Sequence, residues 1–330
     1  MGKRDGLQQL HILFVIACHW AMSITLVFVN KHMVSSSTLG HDLTVVIAWS
    51  QSFVSVLAIL IGASVQMLLD PSARWIASSP SLLLNSDVLA MSFAFVAVLV
   101  LNNLLLKHIG VAFYQVARSS TLVFSVMFSR LFLHVPITGK IGFSCFLIIC
   151  GFLISADEER ALNSITFAGI TYGVLASMVA ALCGIYCKRV DKVVDGDSLK
   201  IALLNNGSSI ILLFPLIFST GQFHTAWMTG QLWKVTLWWQ LIVTGVISMM
   251  VGWTSNKVIS LTSPVTHNVS INAKSLLQTI LAVIFHEEKK TFLWWVGNLL
   301  VMLGIMLYAT NKSSTSNEII ITIPEKKETR

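Results

Sequence analysis

The sequence predicts an all-α membrane protein of about ten transmembrane helices, built as two inverted five-helix repeats. Three observations predict it. The 330 residues are 55% hydrophobic and only 11% charged, and soluble domains carry roughly twice that charged share. Apolar runs of about 20 residues recur from end to end, each long enough to cross a hydrocarbon core of about 30 Å. The chain also matches itself when slid by 153 residues, an offset that pairs Gly151 with Gly304 and Ala156 with Ala309.

A short tail, 1–10, precedes the first span, 11–30. That span is too long for the apolar region of a signal peptide and lacks a small-residue cleavage site. Spans at 43–64 and 88–106 follow. The fourth, 110–133, holds "VAFYQVARSSTLVFSVMFSRLFLH", and the fifth, 139–156, closes the first repeat, 11–156. The sixth, 166–187, carries Cys183 and Cys187 on one face. All five cysteines, with Cys18, Cys145 and Cys150, lie in apolar runs. They read as small packing residues, because neither zinc nor disulfide spacing is present. The seventh span, 199–219, contains "LLNNGSS". The eighth, 235–256, is followed by the ninth, 264–285. Its "PVTHNVSINAKSLLQTILAVIFHE" is the offset counterpart of the fourth. The tenth, 292–310, completes the second repeat, 166–310. The pairs Trp238–Trp239 and Trp294–Trp295 read as interfacial belt residues. Residues 311–330 are polar and read as a disordered tail.

An even number of spans puts both termini on one side. Loops and tails on that side hold twelve lysines and arginines. The opposite side holds six: Lys31, Lys107, Arg160, Lys234, Lys289 and Lys290. The excess places the termini in the cytosol. The net charge of +7 is therefore a topology signal, and no nucleic-acid partner is expected. Five is odd, so the second repeat enters the bilayer upside down relative to the first. Inverted repeats with a site near the midplane are a transporter signature.

Four basic residues remain at membrane depth. Arg130 and Lys200 sit near span ends and can snorkel. Arg118 and Lys274 cannot, and each costs roughly 2.5–3.5 kcal/mol at a helix centre. The 15 carboxylates fall in loops and tails, with Asp87 at the edge of the third span. Two uncompensated cations predict a partner arriving from outside as an anion. At 100° per residue, Ser270, His267 and Gln278 lie within about 40° of Lys274, and Asn268, Asn272, Ser275 and Thr279 continue the polar arc. Tyr114, Gln115, Thr121 and Ser125 gather within about 60° of Arg118. Asn205 and Asn206 offer adjacent amide donors and acceptors, and Gly207 permits close approach. A structural role stands beside each reading: membrane cations can bind backbone carbonyls, and amides or His267 can join helices. No cofactor or metal is expected. An interior without acids or a His/Asp cluster argues against a membrane-embedded transferase, so no enzyme is expected, and equally against a proton-coupled carrier.

Several segments are more specific: "FVNKHMV", "VAFYQVARSSTLVF", "ADEE", "YCKRVDKVVDGDSLKIALLNN" and "TSPVTHNVSINAKSLLQTILAVIFHEEKKTFLWW". On these, the chain resembles nucleotide-sugar transporters of the drug/metabolite transporter superfamily, most of all their Golgi GDP-fucose carriers. The resemblance implies exchange of cytosolic GDP-fucose for lumenal GMP, by alternating access around a central basic, polar cavity. It implies a multi-pass Golgi membrane protein, with the endoplasmic reticulum left open, and bilayer lipid as its surroundings. In GDP-sugar carriers an FYNN motif contacts guanine; Leu203, Leu204, Asn205 and Asn206 stand there, keeping the amides and lacking the aromatic pair. A second motif reads GALNK in GDP-mannose carriers; here Ser270, Ile271, Asn272, Ala273 and Lys274 occupy it. That departure favours fucose over mannose. The implied roles are diphosphate for Lys274 and Arg118, guanine for Asn205 and Asn206, and sugar or ribose for Tyr114, His267, Ser270 and Asn272. Another nucleotide sugar (GDP-mannose or a UDP-sugar) or a phosphorylated metabolite such as a triose phosphate is the rival cargo. The oligomeric state, a homodimer included, stays open.

Overall fold

The computed structural model describes residues 2–34, 43–69, 82, 85–133, 137–162, 165–194, 196–230, 233–261, 264–285 and 290–322. Among them the chain forms eleven helices and no strand. These are α1 (Gly2–Val34), α2 (Thr44–Leu69), α3 (Ser86–His108), α4 (Val111–Leu133), α5 (Gly139–Ala161) and α6 (Phe167–Val193). The second half holds α7 (Ser198–Ser219), α8 (Gln222–Met228), α9 (Val235–Leu261), α10 (Pro264–Phe285) and α11 (Phe292–Thr322).

Among the described residues, nine helices are long and apolar enough to cross a membrane. Of the ten expected spans, nine are among these helices; of the remaining one, α10, the described apolar stretch is Ala273–Phe285. Its first half carries Thr266, His267, Asn268, Ser270 and Asn272, and such a segment needs other helices around it rather than lipid. It has them: α10 packs on α1, α4, α9 and α11.

Local chemistry sets the helix ends. The Asp197 carboxylate accepts the Leu199 and Lys200 N–H groups at 3.0 and 3.3 Å, and Thr166 accepts that of Gly169; both are N-caps. Lys31 Nζ donates to the Leu106 and Ile109 carbonyls at the end of α3, 2.6 Å each, where a cation also meets the negative helix pole. The sequence did not reveal α8, which at seven residues is too short and mixed for periodicity to register. Gly221 starts it at φ 67°, a left-handed turn open to glycine. Gln222 then caps α2 from a distance, its Oε1 accepting the Val45 and Val46 N–H groups at 2.8 and 3.4 Å.

The closest helix approach joins α5 to α11. A Cβ on Gly151 would lie 2.4 Å from the Gly297 carbonyl oxygen and 2.8 Å from Val301; one on Gly304 would lie 2.8 Å from the Ser144 carbonyl oxygen and 2.7 Å from Ile148. Moving Ser144, Ile148 and Gly151 on by the 153-residue offset gives Gly297, Val301 and Gly304. The contact is thus reciprocal, the property of a self-complementary interface. The same holds elsewhere. Ser92 Oγ donates to Ser208 Oγ at 2.9 Å, and the offset turns this pair into Gly245 and Ser55, whose Oγ donates to the Gly245 carbonyl at 3.3 Å. Trp20 meets Ser270, and their counterparts Gly173 and Ala117 also touch.

Two expectations differ from the structure. Trp294 is fully buried in the main apolar cluster with Ala282 and Val301, not in an interfacial belt, because α11 turns this face onto α4, α5 and α10. Gly207 has nothing within 4 Å of an added Cβ, so it sits at no tight helix–helix contact. The helical backbone of α11 continues to Thr322, where the sequence predicts disorder from 311. Once a helix is nucleated, each further residue costs little. Residues 323–330 lie outside the described ones.

Gly151→Ala and Gly304→Ala should each lower thermal stability by about 1–3 kcal/mol, the usual range for overpacking. Gly207→Ala should lower it not at all. Unfolding of the detergent-purified variants checks the contrast.

Candidate functional site

The polar half of α10 is held from two sides. On one, α1 supplies "HWAMS": Trp20 Nε1 donates to Ser270 Oγ at 2.8 Å and Lys274 Nζ donates to Ser23 Oγ at 2.7 Å. Both indices rise together, so α1 and α10 run parallel with one turn between the bonds. On the other side, Ser275 Oγ donates to Gln115 Oε1 of α4 at 2.8 Å. One turn along α4, Arg118 Nη1 donates to the Tyr114 hydroxyl at 3.3 Å, with the guanidinium 5.6 Å from the ring centroid. Tyr114 is buried while Arg118 is exposed. Arg118 is close enough to Lys274 to repel it electrostatically.

Neither cation is bonded to a carboxylate among the described residues; the ion pairs there are Arg189–Asp87, Lys200–Asp197 and Lys290–Glu159. A hydrogen bond to a charged group contributes about 1.5–3 kcal/mol, against about 2.5–3.5 kcal/mol for a lysine at membrane depth. Ser23 therefore offsets a large part of the cost of one ammonium. Two of its three protons remain for a ligand.

The structure thus places Ser270 and Lys274 of α10 against α1, and Tyr114 with Arg118 on α4 beside the Gln115–Ser275 bond. His267 and Asn272 share α10, but their side chains lie outside the described residues. Asn205 and Asn206 stand apart on α7, which packs on α2, α3, α6 and α8. Asn206 Nδ2 donates back to the Ala202 carbonyl at 2.9 Å. The Asn205 amide reaches the Cys187 thiol on α6, and its buried Oδ1 has no hydrogen-bond partner. The two leucines before them, at the FYNN aromatic positions, pack separately: Leu204 against Val88 and Met91, Leu203 against Ile59. They form no stacking platform.

Trp20 and Ser23 escaped the sequence reading. Their signal was a polar pair, His19 and Ser23, one turn apart in the apolar first span. His19 Nδ1 also meets Thr254 Oγ1 of α9 at 3.1 Å, fastening α1 on its other side.

The expectation of an acid-free interior requires correction. Helix α5 runs on to Ala161, which carries Glu159 into the bundle. Glu159 and Lys290 form an ion pair with side chains only 3% exposed each. Thr291 Oγ1 donates to Glu158 at 2.5 Å, and the Lys290 ammonium lies 5.0 Å from the Trp294 ring centroid. The sequence places "ADEE" in a loop because its charges end the apolar run. Lys290 pairs with one of those charges, so this lysine, although it lies in the connection between α10 and α11, is a packed residue and not a solvated cation. Glu159→Ala or Lys290→Ala alone should cost about 3–5 kcal/mol by stranding the other charge. Glu159→Leu with Lys290→Met should recover most of that loss in a thermal-unfolding comparison.

Sequence comparison sets this geometry among known proteins. Residues 10–309 match the model of the Triose-phosphate Transporter family. A protein of Caenorhabditis elegans named GDP-fucose transporter is 36% identical, over 90% of this chain and 81% of that one. Nematostella vectensis GDP-fucose transporter 1 is 34% identical, over 93% and 91%. A solved crystal structure superposes with a TM-score of 0.54 at 12% identity, covering 91% of this chain and 99% of the other; at that identity the likeness concerns the fold alone. Nine apolar spans among the described residues, a polar helix packed on four others and a family match over nearly the whole chain converge: this protein belongs to the Triose-phosphate Transporter family.

Proposed function

We propose that this protein exchanges cytosolic GDP-fucose for lumenal GMP across the Golgi membrane. Two membrane-embedded cations, Arg118 and Lys274, carry the reading. They lie within electrostatic reach of each other and have no carboxylate partner among the described residues. A GDP-sugar brings about two negative charges on its diphosphate, which charge-assisted hydrogen bonds from both side chains would balance. Tyr114, Ser270, His267 and Asn272 would contact ribose or fucose. Asn205 would read guanine through its unpartnered Oδ1, since guanine's Watson–Crick edge offers two donors; Asn206 would first have to release Ala202. The relatives named GDP-fucose transporter support this cargo.

The reciprocal contacts at the 153-residue offset support two inverted halves, 11–156 and 166–310, rocking about the site with both termini in the cytosol. Empty, the carrier would close over two cations whose mutual repulsion nothing relieves. Loaded, it would close over a near-neutral complex. That difference disfavours the empty return and enforces exchange. GDP-fucose uptake into liposomes should therefore be fast with GMP inside and near background without it; rapid uptake into empty vesicles would refute obligatory exchange.

Lys274→Ala and Arg118→Ala should each reduce exchange by at least about a hundredfold, the scale for removing one partner of a charge pair that the closed, loaded carrier would bury. Their unliganded thermal stability should be unchanged or higher, because a costly charge has gone. A loss of stability in either variant would instead mark that residue as a helix tie.

The family description favours a second reading, a carrier of a small phosphorylated metabolite such as a triose phosphate. Competition separates the two. Inhibition by GMP but not by UMP, CMP or a triose phosphate supports the nucleotide sugar.

A further inference from the structure

We propose that Trp20 and Ser23 of α1 are positioning residues, Trp20 fixing the hydrogen-bond polarity of the Ser270 hydroxyl and Ser23 holding the Lys274 ammonium in place, so that both present protons to an anionic ligand. The inference rests on the reading of α10 as an anion-binding face and names what makes it one. A serine hydroxyl can donate or accept, whereas an indole N–H, an ammonium and a guanidinium can only donate. At each of three hydroxyls around the site, the partner is one of these donor-only groups: Trp20 at Ser270, Lys274 at Ser23, Arg118 at Tyr114. The accepting role of Ser270 is taken up by Trp20, which leaves its own proton to give. The same holds for Tyr114. Lys274, with one proton on Ser23, keeps two.

The bonds have a common geometry. Trp20 and Ser23 are one turn apart on α1; Ser270 and Lys274 are one turn apart on α10; the lengths are 2.8 and 2.7 Å. Ser270 is 9% exposed, so water cannot freely reset its orientation. A ligand with acceptors only, a phosphate or diphosphate, meets a matched array. A neutral hydroxyl-rich ligand does not gain in the same way. On this account Trp20 and Ser23 need touch no substrate and act through the residues they hold.

The test uses the full-length purified chain and three probes: inorganic pyrophosphate, GMP and guanosine, with affinities taken from ligand-induced thermal shifts. Trp20→Phe keeps the ring and removes the N–H, and Ser23→Ala removes the acceptor. Each should weaken pyrophosphate and GMP binding by about tenfold, the scale of one hydrogen bond to a charged or polarised group, and leave guanosine binding unchanged. Ser23→Thr should restore affinity. Trp20→Phe should add little in a Ser270→Ala background, because the two act as one unit. A loss that falls equally on guanosine and GMP, or no loss at all, overturns the proposal while leaving the carrier reading intact. Pyrophosphate binding by the unaltered chain without any preference for GMP overturns the nucleotide reading alone. Binding of neither anion overturns both.

Discussion

An ammonium group placed in an apolar bundle must find acceptors, and the arrangement around Lys274 follows from that requirement. The Ser23 hydroxyl on α1 supplies one, at 2.7 Å. No carboxylate among the described residues supplies a stronger one. The charge is thus tolerable enough for the fold to form and uncompensated enough to be drawn to an anion. A carboxylate in place of Ser23 would neutralise the site and compete with any phosphate. A leucine there would leave the ammonium without support. Serine sits between these extremes.

That placement depends on which helices surround α10. Its N-terminal half is too polar to face acyl chains, and the helix packs on α1, α4, α9 and α11. The bundle around it is set by contacts far from the site, above all the α5–α11 approach at Gly151, Gly297 and Gly304. Small residues let backbones come close, and in lipid such packing is a main source of helix association. The reciprocity of these contacts has a mechanical consequence. If two halves meet through self-complementary patches, each patch can act as a pivot for either half without repacking its interior.

Charge is also segregated along the bundle. Glu159 and Lys290 neutralise each other in a buried pair beside Trp294, and Asp87 with Arg189 forms a half-exposed one. Both acids are occupied by partners of their own, and the charged neighbour of Lys274 is Arg118, which repels it. Acids near the bundle are therefore compatible with an electropositive site. They are tied elsewhere.

The sequence by itself determined the helical class, the succession of apolar spans and the polar first half of α10. Hydropathy and helical period are local properties, readable one residue after another. It also singled out Arg118 and Lys274, because a charge inside an apolar run is conspicuous whatever surrounds it. It did not determine what those charges touch. Ser23 and Trp20 look like ordinary members of an apolar span until α1 is laid parallel to α10. Glu159 looks like a loop residue until Lys290, more than a hundred positions away, is folded against it. Gly151 and Gly304 were paired by a weak internal match, but only packing showed that each meets the other's offset partners. Asn205 and Asn206 were adjacent in the chain, yet tertiary structure gave one a thiol neighbour and the other its own helix carbonyl. Partners of this kind are decided by which helix faces meet. That choice depends on the summed packing of the whole bundle, which no single stretch of sequence contains.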